Sequence, residues 1–204
     1  MRHAPAAAVI GATVIVSALL YSELPDVALT PGQPMALGRP LIAFLLPLAA
    51  AAIYLVLELL SPPNGSLSVF RRIAFVCVLF VAALHVVLLT GLVAHIRQDT
   101  SIVDVVTRMV PVLFGSALAI VGNQLPRLRP NLAIGIRTRQ SLENPLVWAR
   151  VNRAAGYIAV ALGLSIVLCA LAIPPGPAVP AAIGICGLVA LAGLCTWYWQ
   201  AIRP

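Results

Sequence analysis

Lysine is absent from this 204-residue chain, and only six side chains are acidic. Charged residues make up 9% of it, against roughly 25% in an ordinary soluble domain. That is too little charge to cover the surface of a soluble domain of this size. The four cysteines, Cys77, Cys169, Cys186 and Cys195, fall inside apolar runs with no CxxC or Cys/His spacing. This pattern excludes a zinc site or redox motif and predicts buried small hydrophobes. H-E-x-x-H, G-x-S-x-G and paired intramembrane carboxylates are also missing, so neither an enzyme nor a metal or cofactor is expected.

Apolar residue types fill 61% of the chain, and the mean hydropathy is +1.03. Runs of about 20 apolar residues, enough to cross a bilayer, recur along it. The sequence therefore predicts an all-α integral membrane protein, a six-transmembrane-helix bundle. Its spans are Ala4 to Leu20, Leu41 to Leu60, Ile73 to Ala94, Ile102 to Gly122, Ala154 to Ile173 and Ala178 to Trp199. The first could be read as a secretory signal, but no A-x-A cleavage site follows and it is kept as a span. Residues 1–100 form one three-helix region and residues 101–204 a second. Secreted and DNA-binding domains are excluded.

All thirteen basic residues are arginines, and the net charge is +7. Lying between apolar runs, they suit an anionic membrane face rather than nucleic acid. In a six-span arrangement Arg2, Arg71, Arg72, Arg127, Arg129, Arg137, Arg139, Arg150, Arg153 and Arg203 share one side, leaving Arg39, Arg97 and Arg108 on the other. The positive-inside rule then puts both termini in the cytoplasm of a cell (plasma or inner) membrane. Trp148, Trp197 and Trp199 gather at the same boundary and read as interfacial anchors.

Inside the spans, His85 is a candidate coupling group, because an ionisable side chain at that depth is costly; a hydrogen-bonded structural histidine is the blander alternative. Asp104 and Arg108 are spaced to pair on one helical face, and they are also candidates for coupling the two membrane sides. Glu58 is expected to pair with Arg71 and Arg72 across a Pro63, Asn64, Gly65 turn. Ala155, Ala159 and Gly163 at four-residue spacing in the fifth span, and Gly115 and Ala119 in the fourth, read as packing seams within one bundle, with a homodimer seam as the alternative. Pro34, Gly38 and Arg39 echo Pro130, Gly135 and Arg137, raising inverted three-span repeats as an option.

The informative stretch is the basic loop 122–156. Pro126, Pro130 and Gly135 punctuate it, and Asn123 and Asn131 precede bends. Arg127 with Arg129, and Arg137 with Arg139, would each point one way from extended backbone. Arg150 and Arg153 share a face if the fifth helix starts early. Ser141, Glu143 and Asn144 before Pro145 predict a turn into a short helix with proline at its first position. Such guanidiniums can hold phosphates or carboxylates bidentately.

At these residues the chain resembles the sporulation-delaying-protein immunity family, SdpI-like membrane proteins. The resemblance rests on Gly122, Asn123, Leu125, Pro126, Arg127, Arg129, Pro130, Asn131, Gly135, Ile136, Arg137, Thr138, Leu142, Val147, Trp148, Arg153 and Gly156. Arg139, Gln140, Ser141, Val151 and Asn152 depart from the family pattern. Leu24, Pro25, Gly32, Gly38, Arg39 and Pro47 resemble, more weakly, a small motif that precedes the signature in longer relatives. The resemblance implies an immunity and signal-transduction protein that protects against a membrane-active peptide toxin. It also implies a soluble cytoplasmic regulator held at the loop. Asn123, Pro126, Arg127, Arg129, Pro130, Asn131, Gly135, Arg137, Thr138, Trp148 and Arg153 would be the partner- or headgroup-binding residues. The outer loop, with Glu23 and Asp26, would face the toxin. A small transporter or lipid-headgroup-binding protein is the alternative. Expected partners are membrane lipids, a toxin and a regulator, with no direct nucleic-acid contact.

Overall fold

The computed structural model describes residues 3–28, 37–61, 67–131, 133–176 and 178–202. The proposed Pro63, Asn64, Gly65 turn, Gly32, Pro34, Arg2 and Arg203 lie outside the described residues. Among the described residues, six helices are long and apolar enough to span a membrane. They are α1 (Ala4–Leu20), α2 (Arg39–Leu59), α3 (Leu67–Ile96), α4 (Thr100–Gly122), α6 (Pro145–Ala172) and α7 (Ala178–Ile202), with the short α5 (Arg139–Glu143) between the fourth and fifth spans. Between α1 and α2, β1 (Val27–Ala28) and β2 (Leu37–Gly38) pair antiparallel.

All six spans stand where the hydropathy put them, but α3 and α6 begin well before their expected first residues. Helix α3 starts at Leu67 and takes in Arg71 and Arg72. Helix α6 starts at Pro145, nine residues before the expected Ala154, and so carries Arg150 and Arg153. The proline at its first position and the Asn144 cap, whose Oδ1 accepts from Leu146 N–H at 2.9 Å, begin the span itself rather than a separate short helix.

Helix α1 packs on α2 and α3, α3 bridges to α4, α4 lies along α6, and α7 lies on α6. The closest approach is between α4 and α6. Here Gly115 opposes Gly163 and Gly122 opposes Gly156, with Ala119 and Ala159 between them. A Cβ on Gly122 would stand 2.7 Å from Ala159 Cβ and 3.1 Å from the Gly156 carbonyl. One on Gly163 would collide with the Gly115 carbonyl. Small residues replace the hydrophobic drive that lipid cannot supply, so the expected seam joins two helices of one bundle.

The cysteines are not the buried packing residues expected. Cys77, Cys169 and Cys186 are partly covered and Cys195 is exposed, because in a bundle this thin many span residues face outward toward acyl chains. Among the described residues, α7 has no fully buried side chain.

One end of the bundle carries Glu58, 3.5 Å from Arg71 Nε and 4.0 Å from His3 Nδ1. Arg72 is exposed and makes no ion pair with Glu58. At the other end Glu23 meets Arg97 at 2.8 Å and Asp26 meets Arg39 at 2.7 Å. Both acids of the expected toxin-facing surface are thus already paired, with Arg97 in the turn just after α3 and with Arg39 at the start of α2.

Candidate functional site

The connection between α4 and α6 is a folded unit. Asn123 caps the C-terminus of α4, and Leu125–Arg127 form a single 3-10 turn with Pro126 near its start. Pro126 closes the unit against α6, since a Cβ on Gly156 would stand 2.8 Å from Pro126 Cδ. Asn131 then organises the next bend. Its Oδ1 accepts from Ala133 N–H at 2.9 Å and Ile134 N–H at 2.8 Å, while Nδ2 donates to the Arg129 carbonyl at 2.9 Å.

Trp148 is the centre of this unit. It is 1% exposed, packs with Phe70, Ile73 and Leu128, and donates from Nε1 to the Leu128 carbonyl at 2.7 Å. It is therefore no interfacial anchor: the α6 extension swings the ring inward under the loop. Trp197 and Trp199, by contrast, are 50% and 61% exposed.

Gly135 has φ +116, a left-handed region that favours glycine. Beside it, Asn152 Oδ1 accepts from Ile136 N–H at 2.8 Å and Nδ2 donates to the Trp148 carbonyl at 3.1 Å. Asn152 is 1% exposed, so each partner replaces water that burial has removed. A capping box then starts α5. Thr138 Oγ1 accepts from Ser141 N–H at 3.2 Å, and Ser141 Oγ accepts from Thr138 N–H at 2.9 Å. The buried Ser141 hydroxyl also reaches the Ile136 carbonyl at 2.7 Å. Asn152, which stood only as a departure from the family pattern, and Ser141, which was read as part of the turn before Pro145, are two of the buried polar groups that hold the loop.

This scaffold leaves Arg127, Arg129, Arg137, Arg150 and Arg153 exposed on its surface, with Pro130 also exposed and Thr138 half-buried. The extended-strand pairing of arginines does not occur. Arg127 sits in the 3-10 turn beside Gln124, and Arg139 begins α5 and pairs with Glu143 at 2.8 Å. Arg150 and Arg153 do share a face of α6.

The coupling candidates are placed apart. Asp104 and Arg108 form no ion pair. Arg108 Nη1 instead donates to the Leu171 carbonyl at 3.3 Å, one of the carbonyls that the end of α6 leaves without an intrahelical partner. His85 is 1% exposed and lies 2.6 Å through Nε2 from Ser17 Oγ, whose hydroxyl also reaches the Thr13 carbonyl at 3.0 Å. The histidine is thus hydrogen-bonded to α1, on the opposite side of the bundle from the α4 and α6 seam.

The model of the SdpI/YfhL protein family matches residues 127–197. The match takes in the folded loop from Arg127 onward, α6 and most of α7, and supports an SdpI-like family assignment. Gly122 to Pro126 and the weaker resemblance around Leu24 to Pro47 lie outside it. No curated protein and no solved structure matches the chain significantly.

Proposed function

We propose that this SdpI-like multi-pass membrane protein is an immunity and signal-transduction protein of the plasma membrane. In this reading both termini and the loop 122–156 are cytoplasmic, the bundle protects its cell from a membrane-active peptide toxin, and the loop retains a soluble regulator. The proposed action is binding and release, with no covalent step.

The observation that carries the reading is the built loop. A topology signal needs positive charge alone, whereas here Trp148, Asn152, Asn131 and Ser141 hold the backbone in one conformation under a set of exposed guanidiniums. A rigid array loses less entropy on docking than a floppy one, and guanidiniums take carboxylates in fork geometry. An acidic face on a soluble partner suits such a surface. The transport alternative has less support, since His85, the buried ionisable group within α3, is engaged by Ser17.

Expression should protect a cell sensitive to membrane-active peptides and lacking other defences. Gly135→Val and Arg137→Lys should each abolish protection without lowering the amount in the membrane. Undiminished killing across a panel of such peptides, or full protection by both variants, overturns the proposal.

A further inference from the structure

We infer that the groove between α6 and α7 is a seat for one anionic phospholipid. The headgroup phosphate lies at Arg150 and Arg153, and an acyl chain runs down the groove. This inference does not depend on the immunity reading.

At its basic end the groove encloses about 420 Å³ and is lined by Leu146, Arg150, Arg153, Tyr157, Ile158 and Trp197 among others. Below it a second hollow of about 350 Å³ is lined by Ile158, Leu162, Ser165, Val189 and Gly193 among others. Ile158 belongs to both walls, so charged mouth and apolar track are continuous. No acidic residue lines either part. Among the described residues, neither Arg150 nor Arg153 has an ion-pair partner.

Three properties select the occupant. Two guanidiniums one helical turn apart match the oxygens of a single phosphate. Exposed Trp197 and Tyr157 sit beside them, where amphipathic rings meet the headgroup level. From Arg153 to Ser165 the helix rises about 18 Å at 1.5 Å per residue, close to the ~15 Å of hydrocarbon in one leaflet. An acidic peptide would satisfy the mouth but leave the track empty; a free phosphate would do the same.

The test uses the full chain with Trp199→Phe, beside the same chain with Trp197→Phe added to supply the Trp148 background, in nanodiscs of phosphatidylcholine carrying a small fraction of acyl-brominated lipid, and reads the difference as quenching of Trp197. Brominated phosphatidylglycerol should quench at about a thirtyfold lower mole fraction than brominated phosphatidylcholine, since each of the two arginines contributes about 1 kcal/mol toward an anionic lipid. Arg150→Gln with Arg153→Gln should remove the preference. Gly193→Leu should reduce it with both arginines intact, because the side chain fills the track. Millimolar inorganic phosphate should not reverse it. Equal quenching by the two lipids, a preference surviving the double variant or unaffected by Gly193→Leu, or reversal by phosphate overturns the inference.

Discussion

Gly135 and Asn152 compete for one place. A Cβ on Gly135 would stand 2.5 Å from Asn152 Oδ1, the atom that accepts the Ile136 N–H at 2.8 Å. The turn and the buried amide are therefore a matched pair. Gly135→Ala should destabilise the loop through both the left-handed backbone and the collision, by ~1–3 kcal/mol. Proteolysis of the loop in detergent, which should become faster while insertion is unchanged, checks this.

Asn152→Leu removes the acceptor for Ile136 N–H and the donor to the Trp148 carbonyl. A buried group left unsatisfied costs about 1–3 kcal/mol. The Trp148 emission should shift to the red as its cover loosens. Emission identical to wild type would show that the amide does not hold the loop.

Ser17→Ala deletes the contact between α1 and His85 and leaves the imidazole without that partner. Thermal unfolding in detergent should begin at lower temperature, by an amount corresponding to about 1–3 kcal/mol. An unchanged midpoint would contradict the contact's structural weight.

Gly163→Val and Gly184→Val are the same change in two environments. At Gly163 the new Cβ meets Ala119 N at 2.7 Å, and at Gly184 nothing lies within 4 Å. The first should cost ~1–3 kcal/mol or more and lower folded yield. The second should be near neutral in size-exclusion and melting assays.

Asp99 caps α4, accepting from the Ser101 hydroxyl at 2.6 Å and Ile102 N–H at 3.2 Å. These hydrogen bonds hold its carboxyl below the ordinary value of 3.8. A lowered folded pKa means the stabilisation is complete above that ordinary value and is lost as pH falls through the folded one. Hydrogen-exchange protection at the start of α4, taken relative to the intrinsic rate at each pH, should fall in that acid window, and Asp99→Asn, which still caps, should flatten the dependence.

Topology is checked by impermeant thiol labelling of single cysteines in a cysteine-free background. Gln98 should label from outside, and Pro130 should not. Pro130 serves better than Asn131, which is 7% exposed. Labelling of Pro130 in intact cells would invert the orientation.

The six spans were legible because hydropathy alone specifies them. Their polar extensions were not: Arg150, Asn152 and Arg153 read as loop by hydropathy, although the first turns of α6 bury one of them and expose two. Trp148 shows the same limit, since residue type cannot tell a ring at the interface from one under a loop. Spacing made Asp104 a partner for Arg108, but the open carbonyls at the end of α6 were invisible until that helix was placed. Within the loop, Gly135 was readable as a turn that refuses a side chain. The asparagine that opposes it was not, because the two meet only in three dimensions.

The glycine contacts between α4 and α6 have a mechanical consequence. With Gly115 against Gly163 and Gly122 against Gly156, backbone meets backbone at two levels, and neither helix can slide along the other without forcing a larger residue into a glycine notch. The pair behaves as a splint. A displacement imposed near the contact of Arg108 with Leu171 would then move the two helices as one body, by tilt or piston stroke, rather than past each other.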